Sequence, residues 1–412
     1  MNKKNLTSPF APLNVPNLPQ VNGVKHATMC SDIKESGLDL AIIVFDKLAN
    51  VAGVFTNSET SSAPVSWCKS IIKNGLAKAL IINSGNANAF TGYPGGKNVT
   101  VKTALISSII NCRADQVFVA STGVIGEQLP IEKILNSIPL LIKNIGKDNW
   151  SNLAQAIRTT DTYPKLISKK FKIEDKDYVL NGIAKGSGMI SPNMGTLLGF
   201  FFTDADIPSR ILDFYLKKIN EVTFNAITVD GDSSTSDTLL LFSTGEGPSH
   251  GVIDDVSDPR LNGFINALKD LMLNLSHQVI KDGEGASKFI TIEVINALTN
   301  DSAKIIGNCI AKSPLVKTAI AGEDPNWGRI IMAIGNAQQK IDKNKLKVYF
   351  GNILVAKDGG VCEDYIEELA ANYLKNSEVS IKVDIGEGNG SFTVWTCDFT
   401  EEYIKINSDY RS

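Results

Sequence analysis

Apolar positions along this chain form short, dense runs in its first half and four-spaced series further on. Residues 41–45, 51–55, 79–82 and 116–119 are runs too short for helices and are bounded by Asp, Asn, Ser and Gly, which predicts strands. Between them, Val101, Leu105 and Ile109 recur four apart, which predicts a helix over 99–111. After Pro208, a second helix places Ile211, Tyr215, Ile219 and Val222 on one face, with Ser209 as its N-cap. A third, over 260–280, keeps Leu261, Phe264, Leu268, Leu271 and Leu275 in step. Polar residues 174–178 read as an exposed turn, and the alternating runs 379–383 and 392–396 around Gly386-Glu387-Gly388-Asn389-Gly390 read as a hairpin. Mixed helices and strands of this kind predict an α/β (α+β) protein whose sheets are covered by helices.

With 412 residues, 43% of them apolar, the chain can bury a large core. Forty-one Lys and Arg against 44 Asp and Glu give a net charge of −3, so the basic footprint expected of nucleic-acid or anionic-membrane binding is missing. The apolar run from Leu197 to Phe202 stops at Thr203-Asp204, far short of a membrane span, and no apolar stretch follows the lysines near the N-terminus as a secretory signal requires. The expectation is a soluble, cytoplasmic protein. Six cysteines are scattered singly without a Cys-x-x-Cys pair, which favours reduced thiols. The histidines, His26, His250 and His277, are far apart, so neither a zinc site nor a histidine-based triad is legible. Any chemistry here is expected to proceed without histidine or a bound metal.

The segment Ala184-Lys185-Gly186-Ser187-Gly188-Met189-Ile190-Ser191-Pro192-Asn193-Met194-Gly195-Thr196 runs from glycine-rich backbone through a Pro-Asn turn into a strand-like run. A threonine directly after glycine at a strand entrance permits self-cleavage. The Thr196 hydroxyl attacks the Gly195 carbonyl, and water then cleaves the ester. The liberated α-amine, with a reference pKa of about 7.7–8.0, serves as general base beside its own hydroxyl. The same Gly-Thr pair occurs in ordinary strands. Gly186-Ser187-Gly188 makes a poor dinucleotide loop, because Ser191 takes the place of the third glycine and no helix opens there. Ser121-Thr122-Gly123-Val124-Ile125-Gly126 after a strand can aim a hydroxyl and a backbone N–H at one point, as an oxyanion hole requires, or be a plain turn. In Asp282-Gly283-Glu284-Gly285-Ala286 a glycine-bracketed carboxylate ends the third helix, either solvated or close to substrate.

These segments, in order, resemble the arginine-biosynthetic ornithine acetyltransferase family, also called bifunctional glutamate N-acetyltransferase. Asn83-Ser84-Gly85-Asn86-Ala87-Asn88, Thr159-Thr160-Asp161-Thr162, Asp230-Gly231-Asp232-Ser233-Ser234-Thr235, Gly322-Glu323-Asp324-Pro325-Asn326-Trp327-Gly328-Arg329 and the closing residues 407–412 extend the match along nearly the whole chain. The resemblance implies a helix–sheet–sheet–helix core with a smaller C-terminal α/β part. It also implies autocatalytic cleavage between Gly195 and Thr196 into halves 1–195 (alpha) and 196–412 (beta), commonly assembled as two of each. Thr196 then carries acetyl as an ester in a ping-pong transfer from N-acetylornithine to glutamate, and acetyl-CoA is a possible second donor. Thr122 and Gly123 match the oxyanion hole. Thr159, Lys185, Thr196, Glu284, Asn407 and Ser412 match substrate contacts, with Lys185 suited to a carboxylate and Glu284 to an ammonium or a proton transfer. No cofactor or metal is implied. Departures are small: Ser287 stands where threonine is common, and Gly195 where alanine is. A rival reading is a self-processing aminopeptidase or amidohydrolase with the same nucleophile, in which water replaces glutamate.

Overall fold

The computed structural model describes residues 7–191 and 197–408. Eight strands form its first sheet: β1 (Val24–Met29), β2 (Leu40–Phe55), β3 (Leu76–Asn86), β4 (Val117–Val124), β5 (Lys165–Ile173), β6 (Lys176–Lys185), β7 (Leu198–Thr203) and, beyond the short β8 (Ile227–Thr228), β9 (Thr238–Ser243). Their order is β4-β3-β2-β9-β7-β6-β5, with β1 also paired to β2. The two runs predicted over 41–45 and 51–55 are one strand. Its first half pairs with β1 and β3, the register shifts between Val44 and Ala49, and its second half pairs with β9.

That long strand folds the sheet over on itself. Even-numbered Leu80, Ile82, Phe118 and Ala120 from one half share a buried cluster with Phe200, Phe202, Leu240 and Phe242 from the other. Phe45 lies 4.9 Å from Phe242 and 6.4 Å from Phe202, ring centre to ring centre. Because successive side chains point to opposite faces, Ala79, Ile81, Val117 and Val119 face outward onto helices α2 and α3, while Phe201, Leu239 and Leu241 face outward onto α5 and α6. Here α1 is Ala63–Ile71, α2 Gly92–Ile110, α3 Ile131–Lys143, α4 Trp150–Ala156, α5 Ser209–Asn220 and α6 Asn262–Lys281. The layers therefore run helix, sheet, sheet, helix, as expected.

A second, seven-stranded sheet holds β10 (Phe289–Ala297), β11 (Lys347–Phe350), β12 (Ile353–Lys357), β13 (Gly360–Val361), β14 (Glu378–Asp384) and β15 (Gly390–Cys397), with β8 at one edge. Helices α7 (Asn300–Ala311), α8 (Pro314–Ala321), α9 (Trp327–Gly335) and α10 (Glu367–Leu374) share its buried cluster and complete the smaller C-terminal part.

Several local expectations are corrected. Runs 379–383 and 392–396 are strands but not a hairpin: β14 lies parallel and β15 antiparallel to β10, which separates them. The glycine-rich link instead crosses the end of β10, where the amides of Glu387 and Gly388 donate to the Asn296 carbonyl at 2.8 and 2.9 Å. Helix α5 is capped by Pro208, without a side-chain bond from Ser209, and ends before Val222. Helix α2 starts a run earlier than predicted, at Gly92. Residues 83–86 belong to β3, and Ile406-Asn407 close a last helix, α11 (Glu401–Asn407).

Candidate active site

Four strand or helix ends converge on one cavity of about 330 Å³. Thr122 and Gly123 come from the end of β4, Lys185 from the end of β6, Ser236 from the approach to β9, and Glu284 from just beyond α6. Thr159 and Asn407, at the end of α11, also line it. All six predicted site residues that lie within the described residues thus meet in one place. Gly195, Thr196 and Ser412 lie outside them.

The β4 end is tightly braced. Gly123 has φ +131°, and a Cβ there would sit 2.5 Å from the Asn86 nitrogen and 2.6 Å from the Gly85 oxygen, so only glycine fits against β3. The Asn83–Asn88 motif, which had no role assigned from its chemistry, supplies the brace. Ser121 Oγ donates to Asn83 Oδ1 at 2.6 Å, Asn83 Nδ2 to the Asn86 carbonyl at 2.9 Å, and the Asn88 amide to Asn86 Oδ1 at 2.8 Å. Thr122 is almost fully buried, and its hydroxyl makes no hydrogen bond to another described residue.

Lys185 is 3% exposed and its ammonium donates to no described residue. Burial lowers its pKa, and the Asp161 and Glu284 carboxylates offset part of that. A buried cation with no partner among the described residues, on a cavity wall, is suited to an anionic ligand. Asn407 Nδ2 donates to Glu284 Oε2 at 2.8 Å, and the Glu284 amide donates at 2.8 Å to the carbonyl of Ser187, two residues from Lys185. The glycines around Glu284 answer to the protein's own packing rather than to a ligand. A Cβ on Gly283 would meet Cys397 Sγ at 2.8 Å, and one on Gly285, at φ +72°, the Tyr403 nitrogen at 2.5 Å. Ser287, where threonine was expected, keeps the hydroxyl in use by donating to Asp398 Oδ2 at 2.5 Å.

Sequence reasoning gave no role to the approach to β9. Asp237 is completely buried. Its Oδ1 accepts the Leu197 amide at 2.7 Å, and Oδ2 has no partner among the described residues. Burial pushes its carboxyl well above the ordinary value, which the Leu197 bond and the Lys185 charge only partly oppose. Asp230, in the quoted motif, accepts the Met189 and Ile190 amides at 2.6 and 3.0 Å. The matched Asp-Gly-Asp-Ser-Ser-Thr run was the available signal for Asp230; Asp237 lies two residues beyond it and had none. Sequence order did not say which carboxylate would face which amide.

Gly188 is a sensitive point on the wall. A Cβ there would lie 2.6 Å from Glu284 Oε1 and overlap the rest of that carboxylate. The clash is with the mobile end of a side chain, so Gly188→Ala is expected to displace Glu284 without unfolding the protein. We predict a rise of roughly tenfold in KM for an amino-acid substrate, equivalent to about 1.4 kcal/mol, at nearly unchanged melting temperature. Steady-state kinetics beside calorimetric melting checks it.

Comparisons with known proteins follow the same lines. Residues 25–412 match the model of the ArgJ family. The chain is 46% identical over 402 residues to the arginine biosynthesis bifunctional protein ArgJ of Bartonella henselae, covering 97% of this chain and 98% of that one. It is 46% identical over 408 residues to the protein of the same name from Mesorhizobium japonicum, covering 98% and 99%. Among solved structures, an arginine biosynthesis bifunctional protein ArgJ from Bacillus halodurans is similar at 38% identity and TM-score 0.49, over 51% of this chain and 98% of that one. An ornithine acetyltransferase from Mycobacterium tuberculosis, complexed with ornithine, is similar at 27% identity and TM-score 0.36, over 43% and 94%.

Proposed function

The chain belongs to the ArgJ family, and on that premise we propose that it is the acetyltransferase of arginine biosynthesis that moves acetyl from N-acetylornithine to glutamate. One observation carries the proposal to these residues: a single cavity collects Thr122, Gly123, Thr159 and Lys185 from before the cleavage point with Glu284 and Asn407 from after it.

In this mechanism the chain first cuts itself between Gly195 and Thr196. Strands β6 and β7 flank that junction and pair with each other from Leu180↔Thr203 to Lys185↔Leu198, so the cut halves 1–195 and 196–412 stay joined by a shared sheet. The Thr196 hydroxyl then attacks the acetyl carbonyl of N-acetylornithine while its own α-amine accepts the proton. Thr122 and the Gly123 backbone face the oxygen on which charge develops. The amine proton passes to the leaving nitrogen and ornithine departs, leaving acetyl on Thr196. The amine of glutamate attacks that ester, the bond to the Thr196 oxygen breaks, and the proton lost by the glutamate nitrogen returns through the α-amine to that oxygen, giving N-acetylglutamate and the free hydroxyl. Lys185 holds a substrate carboxylate, Glu284 pairs with the ammonium or passes a proton, and Thr159, Asn407 and Ser412 add polar contacts.

The name bifunctional, carried by the Bartonella and Mesorhizobium relatives, supports a second activity, for which we propose acetyl-CoA as donor and no cofactor. Two copies of each half assemble, and the enzyme works in the cytoplasm. No described helix is long and apolar enough to cross a membrane.

The test is ornithine release from N-acetylornithine with and without glutamate, beside intact mass under denaturing conditions. Expected are two fragments that together account for 44.5 kDa and release that depends on glutamate. Release indifferent to glutamate points to the aminopeptidase or amidohydrolase chemistry, and an uncut chain removes the nucleophile.

A further inference from the structure

Behind the cavity wall, Lys165 of β5 is enclosed with two carboxylates. Its ammonium lies 2.7 Å from Asp161 Oδ1 and 2.5 Å from Asp282 Oδ2, and all three side chains are 0% exposed. Removing three charges from water is expensive, and well-packed apolar residues often serve stability as well or better. Such a triad calls for a reason beyond stability.

Its backbone partners supply one. Asp161 Oδ1 also accepts the Gly186 amide at 2.7 Å, next to Lys185, and Asp161 Oδ2 accepts the Thr159 amide at 3.1 Å. Asp282 accepts the Thr162 amide at 2.9 Å and the Thr162 hydroxyl. It sits at the end of α6, two residues before Glu284, where the helix dipole is negative and a carboxylate is unfavourable without a cation beside it. Tyr163, whose hydroxyl donates to the Gln278 carbonyl at 2.9 Å, ties the same loop to the same helix end. None of the three triad side chains lines the cavity, whereas Thr159, Lys185 and Glu284 all do.

We infer that Lys165, Asp161 and Asp282 form a positioning triad that sets the Thr159 and Lys185 side of the substrate site against the Glu284 side. The inference rests on the substrate reading above. Burial would raise the Asp161 carboxyl, but the ammonium groups of Lys165 and Lys185 outweigh it and hold Asp161 below the usual carboxylate range. Its negative charge in turn favours the protonated form of Lys185 against the burial that opposes it, as an anion-binding lysine requires.

The experiment compares wild type with Lys165→Met, Asp161→Asn and Asp282→Asn. It measures kcat and KM for N-acetylornithine, amide hydrogen exchange at Thr159 and Gly186, and melting temperature. Expected are faster exchange at both amides and a loss in kcat/KM on the order of 10- to 100-fold, carried mainly by KM, as loosened placement of binding groups produces. A lower melting temperature with unchanged KM and exchange would make the triad purely structural and overturn the inference. In active enzyme, either change without the other also overturns it. Should Lys165→Met fail to fold, the two Asn variants, which keep an acceptor in place, decide. If wild type releases no ornithine, the substrate reading fails on its own, and exchange at the two amides alone then decides whether the triad holds the loop.

Discussion

Replacing Thr196 by alanine is expected to leave one uncut 44.5 kDa chain with no measurable acetyl transfer. Both losses have one cause. Without the hydroxyl there is no acyl shift from the Gly195 carbonyl, so no α-amine is freed, and without the hydroxyl there is also nothing to carry acetyl. Removing a nucleophile that works as a unit with its base costs on the order of 10⁶-fold in kcat in a serine protease, and here the same substitution deletes the base as well. The fold should survive. Leu197, the next residue, is buried, with its amide on Asp237 at 2.7 Å and its carbonyl accepting the Thr238 amide at 3.0 Å. Thr196→Ser restores the hydroxyl without the methyl that restricts χ1, so it should cut and transfer more slowly than wild type. Intact mass and a single-turnover acetylation assay read all three proteins. A cut Thr196→Ala chain would assign the cleavage to another agent.

The layered core was legible because strands buried on both faces are dense apolar runs, and 79–82 and 116–119 are such runs, short and bounded by turn residues. Their pairing was not. Runs 379–383 and 392–396 look like two arms of a hairpin because a turn-like glycine stretch links them, and local sequence carries no trace of β10 lying between them. The two halves of β2 were read apart because Asp46-Lys47-Leu48 interrupts the apolar pattern, and that interruption is the irregularity at which the sheet bends. In the site, Thr122 and Glu284 were legible one by one from their glycine-rich settings, whereas the role of Lys185 came only with the resemblance. Their convergence was not derivable from spacing: it entered through resemblance, and the cavity gives it a geometry. Asp237 and Lys165 stayed hidden for a physical reason. A buried charge in the sequence looks like a solvated one until its partners, which lie far away along the chain, are in place.

The oxyanion hole offers a sharper separation of chemistry from folding than the nucleophile does. Gly123→Pro removes an N–H and should cost transfer at least 10²–10³-fold, the range found on removing one such donor in other enzymes. Yet proline fixes φ near −65°, against +131° here, and any Cβ at this position collides with the backbone of Gly85 and Asn86. The end of β4 would have to part from β3, so that variant should also lose stability, by about 1–3 kcal/mol for the misplaced backbone alone. Thr122→Val carries no such burden, because it keeps the β-branch and the strand register and deletes only a hydroxyl without a described partner. If that hydroxyl meets the developing negative charge, kcat should fall by about 10²–10³ while KM and melting temperature stay close to wild type, since the charge exists in the transition state and not in bound substrate. A fall in both kcat and melting temperature for Thr122→Val would mark the hydroxyl as structural. Unchanged kcat in both variants would remove Thr122 and Gly123 from the reaction and leave the acetyl oxygen to be stabilised by another wall of the cavity.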